Sequence, residues 1–167
     1  MLAVGILLFG IGSRLIVHAP NFTPVIALAL FGGVYLTRRQ ALWVPMALMA
    51  LTDLFLGFHA VIPFTWGSML LISGIGFWVR GRKNAATILG ASLFSAILFF
   101  AMTNFGAWLT MYPHTAQGLS QCYIAAILFF RNTLASTLVY SVVLFGLYEI
   151  IARRVRNTRL AHILLTT

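Results

Sequence analysis

Long apolar runs broken by short polar punctuation dominate this chain, and they predict helices that cross a lipid phase. The first run covers 2–17 and ends at His18-Ala19-Pro20-Asn21. Pro20 and Pro24 bracket a turn, because a proline disfavours helix in the residue before it. A second span covers 23–36 and stops at Arg38-Arg39. A third covers 41–58, a fourth 62–79 and a fifth 85–109. The last stretch, 121–151, is too long for one untilted crossing. Asn132-Thr133 can cap a new helix there. We therefore expect a span over 132–151, with 119–131 as an outer or re-entrant segment; one long tilted helix is the alternative. The second and third spans fall short of the about 20 residues that a bilayer core needs. Short helices under a wide outer opening are one way to make a cavity.

Basic residues orient these spans. Arg38 and Arg39, then Arg80, Arg82 and Lys83, then Arg153, Arg154, Arg156 and Arg159 form three clusters, each two crossings from the next. All three fall on one face, which the positive-inside rule makes cytoplasmic, and six spans put both termini there. The expected fold is all-α, a six-transmembrane-helix bundle forming a single integral membrane domain over 1–167, in the bacterial inner membrane.

Composition agrees with that pattern. The chain is 61% hydrophobic and 8% charged, with a mean hydropathy of +0.99, more apolar surface than a soluble domain can hide. The net charge of +9 is topogenic and lies near anionic inner-leaflet lipid, so no nucleic-acid partner is expected. The first apolar run has no basic residue before it and ends at a poor cleavage site, so it reads as a retained helix. A single cysteine, Cys122, excludes an intrachain disulfide and reads as a small apolar filler. No Gly-x-Ser-x-Gly, His-Glu-x-x-His, glycine-rich phosphate loop or pair of intramembrane aspartates is present. Ser68, Asp53 and His59 assemble into a triad only on paper. We expect no enzyme, no cofactor and no metal.

The residues that can do chemistry collect at the opposite, outer face: Arg14, His18, Asn21, Asp53, His59, Asn104, Trp108 and His114, with Arg131 before the last span. Ionisable groups inside a membrane are costly and usually face a partner or a water-filled cavity. Arg14 and His18 stand i, i+4 on one helical face, as do Asn104 and Trp108. Asp53, one of two acids, is expected to pair with Arg131 or Arg14. Glu149, the other acid, is i, i+4 from Arg153 and reads as an ordinary helix-end pair. Phe22, Trp66, Trp108 and Tyr112 are expected to line a cavity; the alternative for Trp108 and Tyr112 is the aromatic belt.

Certain stretches stand out in combination: RLIVHAPNFTPVIALALFGG over 14–33, Asp53-Leu54-Phe55-Leu56-Gly57, TNFGAWL over 103–109, Tyr112-Pro113, GLSQCY over 118–123 and FFRNT over 129–133. Over nearly the whole chain they resemble a family of small uncharacterised bacterial membrane proteins. That family is similar, more distantly, to the six-helix substrate-binding S-components of energy-coupling-factor vitamin transporters, the solitary cobalamin type above all. The resemblance implies an outward-opening vitamin cavity and carries Arg14, His18, Asn21, Asp53, Asn104, Trp108, Arg131 and Asn132 over as solute contacts. It implies a small-molecule solute, a corrinoid first, and an energising transporter module as partners. The Ala-x-x-x-Ala helix face through which S-components commonly dock is absent from this chain. A non-transporting structural or assembly subunit is the rival reading.

Overall fold

The computed structural model describes residues 2–16 and 19–156. Among them are six helices and no strand: α1 (Leu2–Leu15), α2 (Val25–Tyr35), α3 (Arg38–Leu56), α4 (Ile62–Val79), α5 (Ala85–Met111) and α6 (Ala116–Val155). The all-helical bundle expected from the hydrophobic pattern is present. Three of the helices, α4, α5 and α6, are long and apolar enough to cross a membrane. His18 and Arg159 lie outside the described residues.

Helix α2 organises the rest. Each of its 11 residues is buried, and it packs against all five other helices. A helix that is apolar all round belongs in the middle of a bundle. At 1.5 Å per residue it is only ~16 Å long, about half a hydrocarbon core, so it does not cross alone. Its inner end is tightly fastened. Arg80 donates through Nε and Nη2 to Gly33 O at 3.2 and 2.7 Å, and through Nη2 to Leu36 O. These carbonyls have no partner within the helix, and a cation suits the negative end of its dipole. Tyr35 Oη donates to Glu149 Oε1 at 2.7 Å, and Lys83 stands over the Tyr35 ring. The basic turns and the end of α6 thus meet at one end of the bundle, as the charge pattern required. Glu149 does not pair with Arg153 as its spacing led us to expect. Packing brings a tyrosine hydroxyl closer.

Small residues let α2 lie against α4. A Cβ built on Gly33 would come 2.7 Å from Gly76 Cα, and one on Gly76 would come 2.5 Å from Leu30 O. Where lipid is as apolar as the side chains, such backbone approach is what holds helices together. Buried serines and threonines fit the same seams by turning back on their own helices. Ser73 bonds to Met69 O at 3.0 Å, Ser92 to Ile88 O at 2.8 Å and Thr137 to Thr133 O at 2.7 Å.

The break expected at Asn132-Thr133 does not occur. Helix α6 runs unbroken for 40 residues, ~60 Å at the usual rise. The two candidate capping side chains are engaged elsewhere. Thr133 Oγ1 donates to Phe129 O at 3.2 Å, inside the helix. Asn132 Nδ2 crosses to Pro20 O at 3.0 Å. The 119–131 segment is therefore the N-terminal part of the last helix, paired with α5. Tyr123 Oη donates to Ala101 O at 2.7 Å, and Cys122 Sγ to Asn104 O at 3.4 Å.

Candidate functional site

The shortness of α2 leaves a void above its N-terminal end. Val25 and Ile26 form the floor, while α4 extends past Met69 to Ile62. The cavity holds about 380 Å³ and lies at the end of α2 opposite the one that Arg80 fastens. Arg14, Met49, Thr65, Phe99 and Ser136 line its walls, and Asn21, Thr23 and His59 come from the loops. Pro24 precedes the floor and supplies no side-chain cap. The first N–H groups of α2 have no partner within the helix, and the positive end of its dipole faces the void.

Arg14 joins this cavity to a buried brace. Its Nη2 lies 3.0 Å from Asp53 Oδ1, with Asp53 only 1% exposed. The contact is an ion pair rather than a well-directed hydrogen bond, since Oδ1 accepts none. Asp53 Oδ2 accepts from Trp66 Nε1 at 2.9 Å. Arg14 Nη1 donates to Thr52 Oγ1 at 2.6 Å and touches Met49 Sδ at 3.0 Å. The pair joins α1, α3 and α4 at the level of the floor, and leaves the guanidinium edge on the cavity wall. Of the two partners expected for Asp53, Arg14 is the one it meets. Arg131 is exposed on α6 and makes no ion pair among the described residues.

The turn between α1 and α2 is clamped onto α6. Asn21 has φ +59°, the left-handed region that asparagine tolerates better than most side chains. Pro20 O accepts from Asn132, and Asn21 O accepts from Ser136 Oγ at 3.4 Å. The Pro-Asn-Phe-Thr-Pro and Arg-Asn-Thr motifs, far apart in the chain, thus meet in the fold, and one holds the other. Asn132→Ala is expected to cost about 1 kcal/mol of stability, read as a lowered Tm in detergent, with solute affinity falling as the turn loosens.

A smaller void of about 120 Å³ lies beside the first, between Asn21, Phe99, Asn104 and Thr133. Asn104 is thus near the site, although its Nδ2 donates to Phe100 O in its own helix. Trp108 and Tyr112 are not lining residues. Trp108 Nε1 donates to Pro113 O at 3.0 Å, and its ring meets that of His114, closing the α5–α6 turn. Phe22 packs on Tyr140, and Trp66 points at Asp53 instead of the void. The aromatic wall is Phe99, and it carries no motif that would have marked it. Thr23 stands in the same motif as Asn21, and its place on the wall was not expected from the sequence. Ser68 donates to Phe64 O at 2.6 Å, in its own helix, and so does not join Asp53 and His59. No group of three metal-binding side chains exists among the described residues.

The motifs that build this site extend from the first helix to the last, and the family match is equally broad, covering residues 1–160. The chain belongs to DUF6580, a family of unknown function. No curated protein and no solved structure matches it.

Proposed function

We propose that this member of DUF6580 is a multi-pass protein of the bacterial inner membrane that binds a small organic solute in the cavity above α2. In this reading the basic end faces the cytoplasm, both termini are inside, and the cavity opens outward. The observation that carries it is the void itself: about 380 Å³ over the uncapped start of a buried half-helix. Ligand cavities run from about 300 to 1,000 Å³, so the volume speaks for a compact ring-sized vitamin or precursor rather than a whole corrinoid. The wall offers donors: α2 N–H groups, Arg14, Thr23 and Asn21, with no carboxylate among the lining residues. A solute presenting carbonyl or carboxylate oxygens fits that inventory, as at the half-helix sites of other membrane carriers. Uptake would follow by a change of helix tilt, as the resemblance to vitamin-transporter S-components implies, with an energising module or another partner driving it.

Mild purification from native membranes followed by mass analysis of bound small molecules tests the reading, together with a thermal-shift panel of vitamins and their precursors. A stoichiometric co-purifying solute, or a panel member that raises Tm by several degrees, is expected. Met69→Trp places a bulkier side chain on the α4 wall of the void and is expected to lower affinity at least tenfold. A ligand-free protein that ignores the whole panel would favour the structural-subunit reading, in which Arg14–Asp53 is only a brace.

A further inference from the structure

A second concavity lies on the outside of the bundle, near the basic end. It is a groove of about 470 Å³ between α4 and α5, lined by Ile75, Trp78, Thr87, Gly90, Ala91 and Phe94. It follows α5 for two turns from Thr87 to Phe94, ~10 Å. Its depth comes from Gly90, where a built Cβ would meet nothing within 4 Å. Trp78 and Phe94 stand at its sides, 60% and 56% exposed. The groove is apolar along its length and cationic at one end. Arg82 places its guanidinium 5.1 Å from the centre of the Trp78 ring. Of the neighbouring cations, Arg80 is held by the carbonyls at the end of α2, and Lys83 stands over the Tyr35 ring of α2 instead of a ring of the groove. The Arg82 guanidinium has no hydrogen-bond acceptor and no carboxylate among the described residues.

We propose that this groove holds one acyl chain of an anionic phospholipid from the leaflet at the basic end, with its phosphate on Arg82. The inference rests on the membrane reading of the bundle and is independent of the solute. Charge complementarity selects the occupant. An apolar channel that ends at an unpaired guanidinium matches a molecule with a tail and a phosphate, and a phosphate accepts from the guanidinium in a geometry that a neutral headgroup does not supply. A second copy of the chain is disfavoured on the same ground. A two-fold contact through this face would bring two Arg82–Lys83 turns together.

Native mass spectrometry of the detergent-solubilised protein, titrated with phosphatidylglycerol or phosphatidylcholine, tests this. Wild type is expected to retain one phosphatidylglycerol at least tenfold more tightly than phosphatidylcholine. Arg82→Gln is expected to abolish that preference. Gly90→Phe, at a position with open space, is expected to fold normally by Tm and to lose retention of both lipids at least tenfold. Equal retention of the two lipids by wild type would overturn the proposal. So would retention that survives Gly90→Phe, or a dimer that Gly90→Phe dissolves.

Discussion

Asp53→Asn is expected to lose about 3–5 kcal/mol of stability, the usual result of removing one partner from a buried ion pair. The carboxylate has two partners at once: Oδ1 is ion-paired with Arg14 at 3.0 Å, and Oδ2 accepts from Trp66 at 2.9 Å. An amide keeps one oxygen for the Trp66 N–H but carries no charge, so the Arg14 guanidinium loses its counter-ion where Asp53 is almost completely buried. Most of the cost is the abandoned guanidinium rather than the bond itself. The double variant Arg14→Met, Asp53→Leu should therefore recover part of that loss, because apolar replacement of a whole buried pair is often neutral; about 1–3 kcal/mol should remain for the Trp66 N–H, which loses its acceptor. Chemical or thermal unfolding in detergent measures both. The double variant also separates the two roles of Arg14. It should be more stable than Asp53→Asn yet bind solute poorly, since Arg14 lines the cavity. Asp53→Asn with wild-type stability would refute the brace. A double variant with full affinity would place the solute away from Arg14.

Gly76→Val is expected to cost about 3 kcal/mol or more, beyond ordinary overpacking. The first carbon of the new side chain would lie 2.5 Å from Leu30 O and 2.6 Å from Gly33 Cα. Both are backbone atoms of α2, so no rotamer change relieves the contact; the two helices must separate. Separation moves α2, and with α2 the floor of the cavity, so solute affinity should fall with stability. Gly74→Ala, two residues away on the same helix, supplies the control. A Cβ there meets nothing within 4 Å, and alanine is the better helix former, so stability should hold or rise. A Gly76→Val protein that melts with wild type would mean that α2 and α4 are not held by this backbone contact.

Several expectations failed for one shared reason. Asn132 and Thr133 have the chemistry of a helix cap, but capping requires that the side chain have no better partner. Here the Pro20 carbonyl and the helix's own Phe129 carbonyl are those partners. Glu149 has the right spacing for Arg153, yet Tyr35 comes to it from another helix. Trp108 and Tyr112 were expected to line the cavity but are drawn into the α5–α6 turn at the end of α5. Each is a choice among partners of similar chemistry, and such choices depend on which helices end up adjacent.

Hydropathy and charge act locally, so the chain by itself determined the helices, their approximate ends, the gathering of basic turns at one end and the collection of polar residues at the other. Even the shortness of α2 was legible, between the prolines before it and the arginine pair after it, and that shortness is what opens the cavity. The partner of Asp53, the continuity of α6, the burial of α2 on every side and the identity of the cavity wall were decided by tertiary packing. Between Arg14 and Arg131, sequence offers equal charges at similar depth. Only the placement of α1 beside α3, with α6 farther off, brings one guanidinium to 3.0 Å and leaves the other exposed.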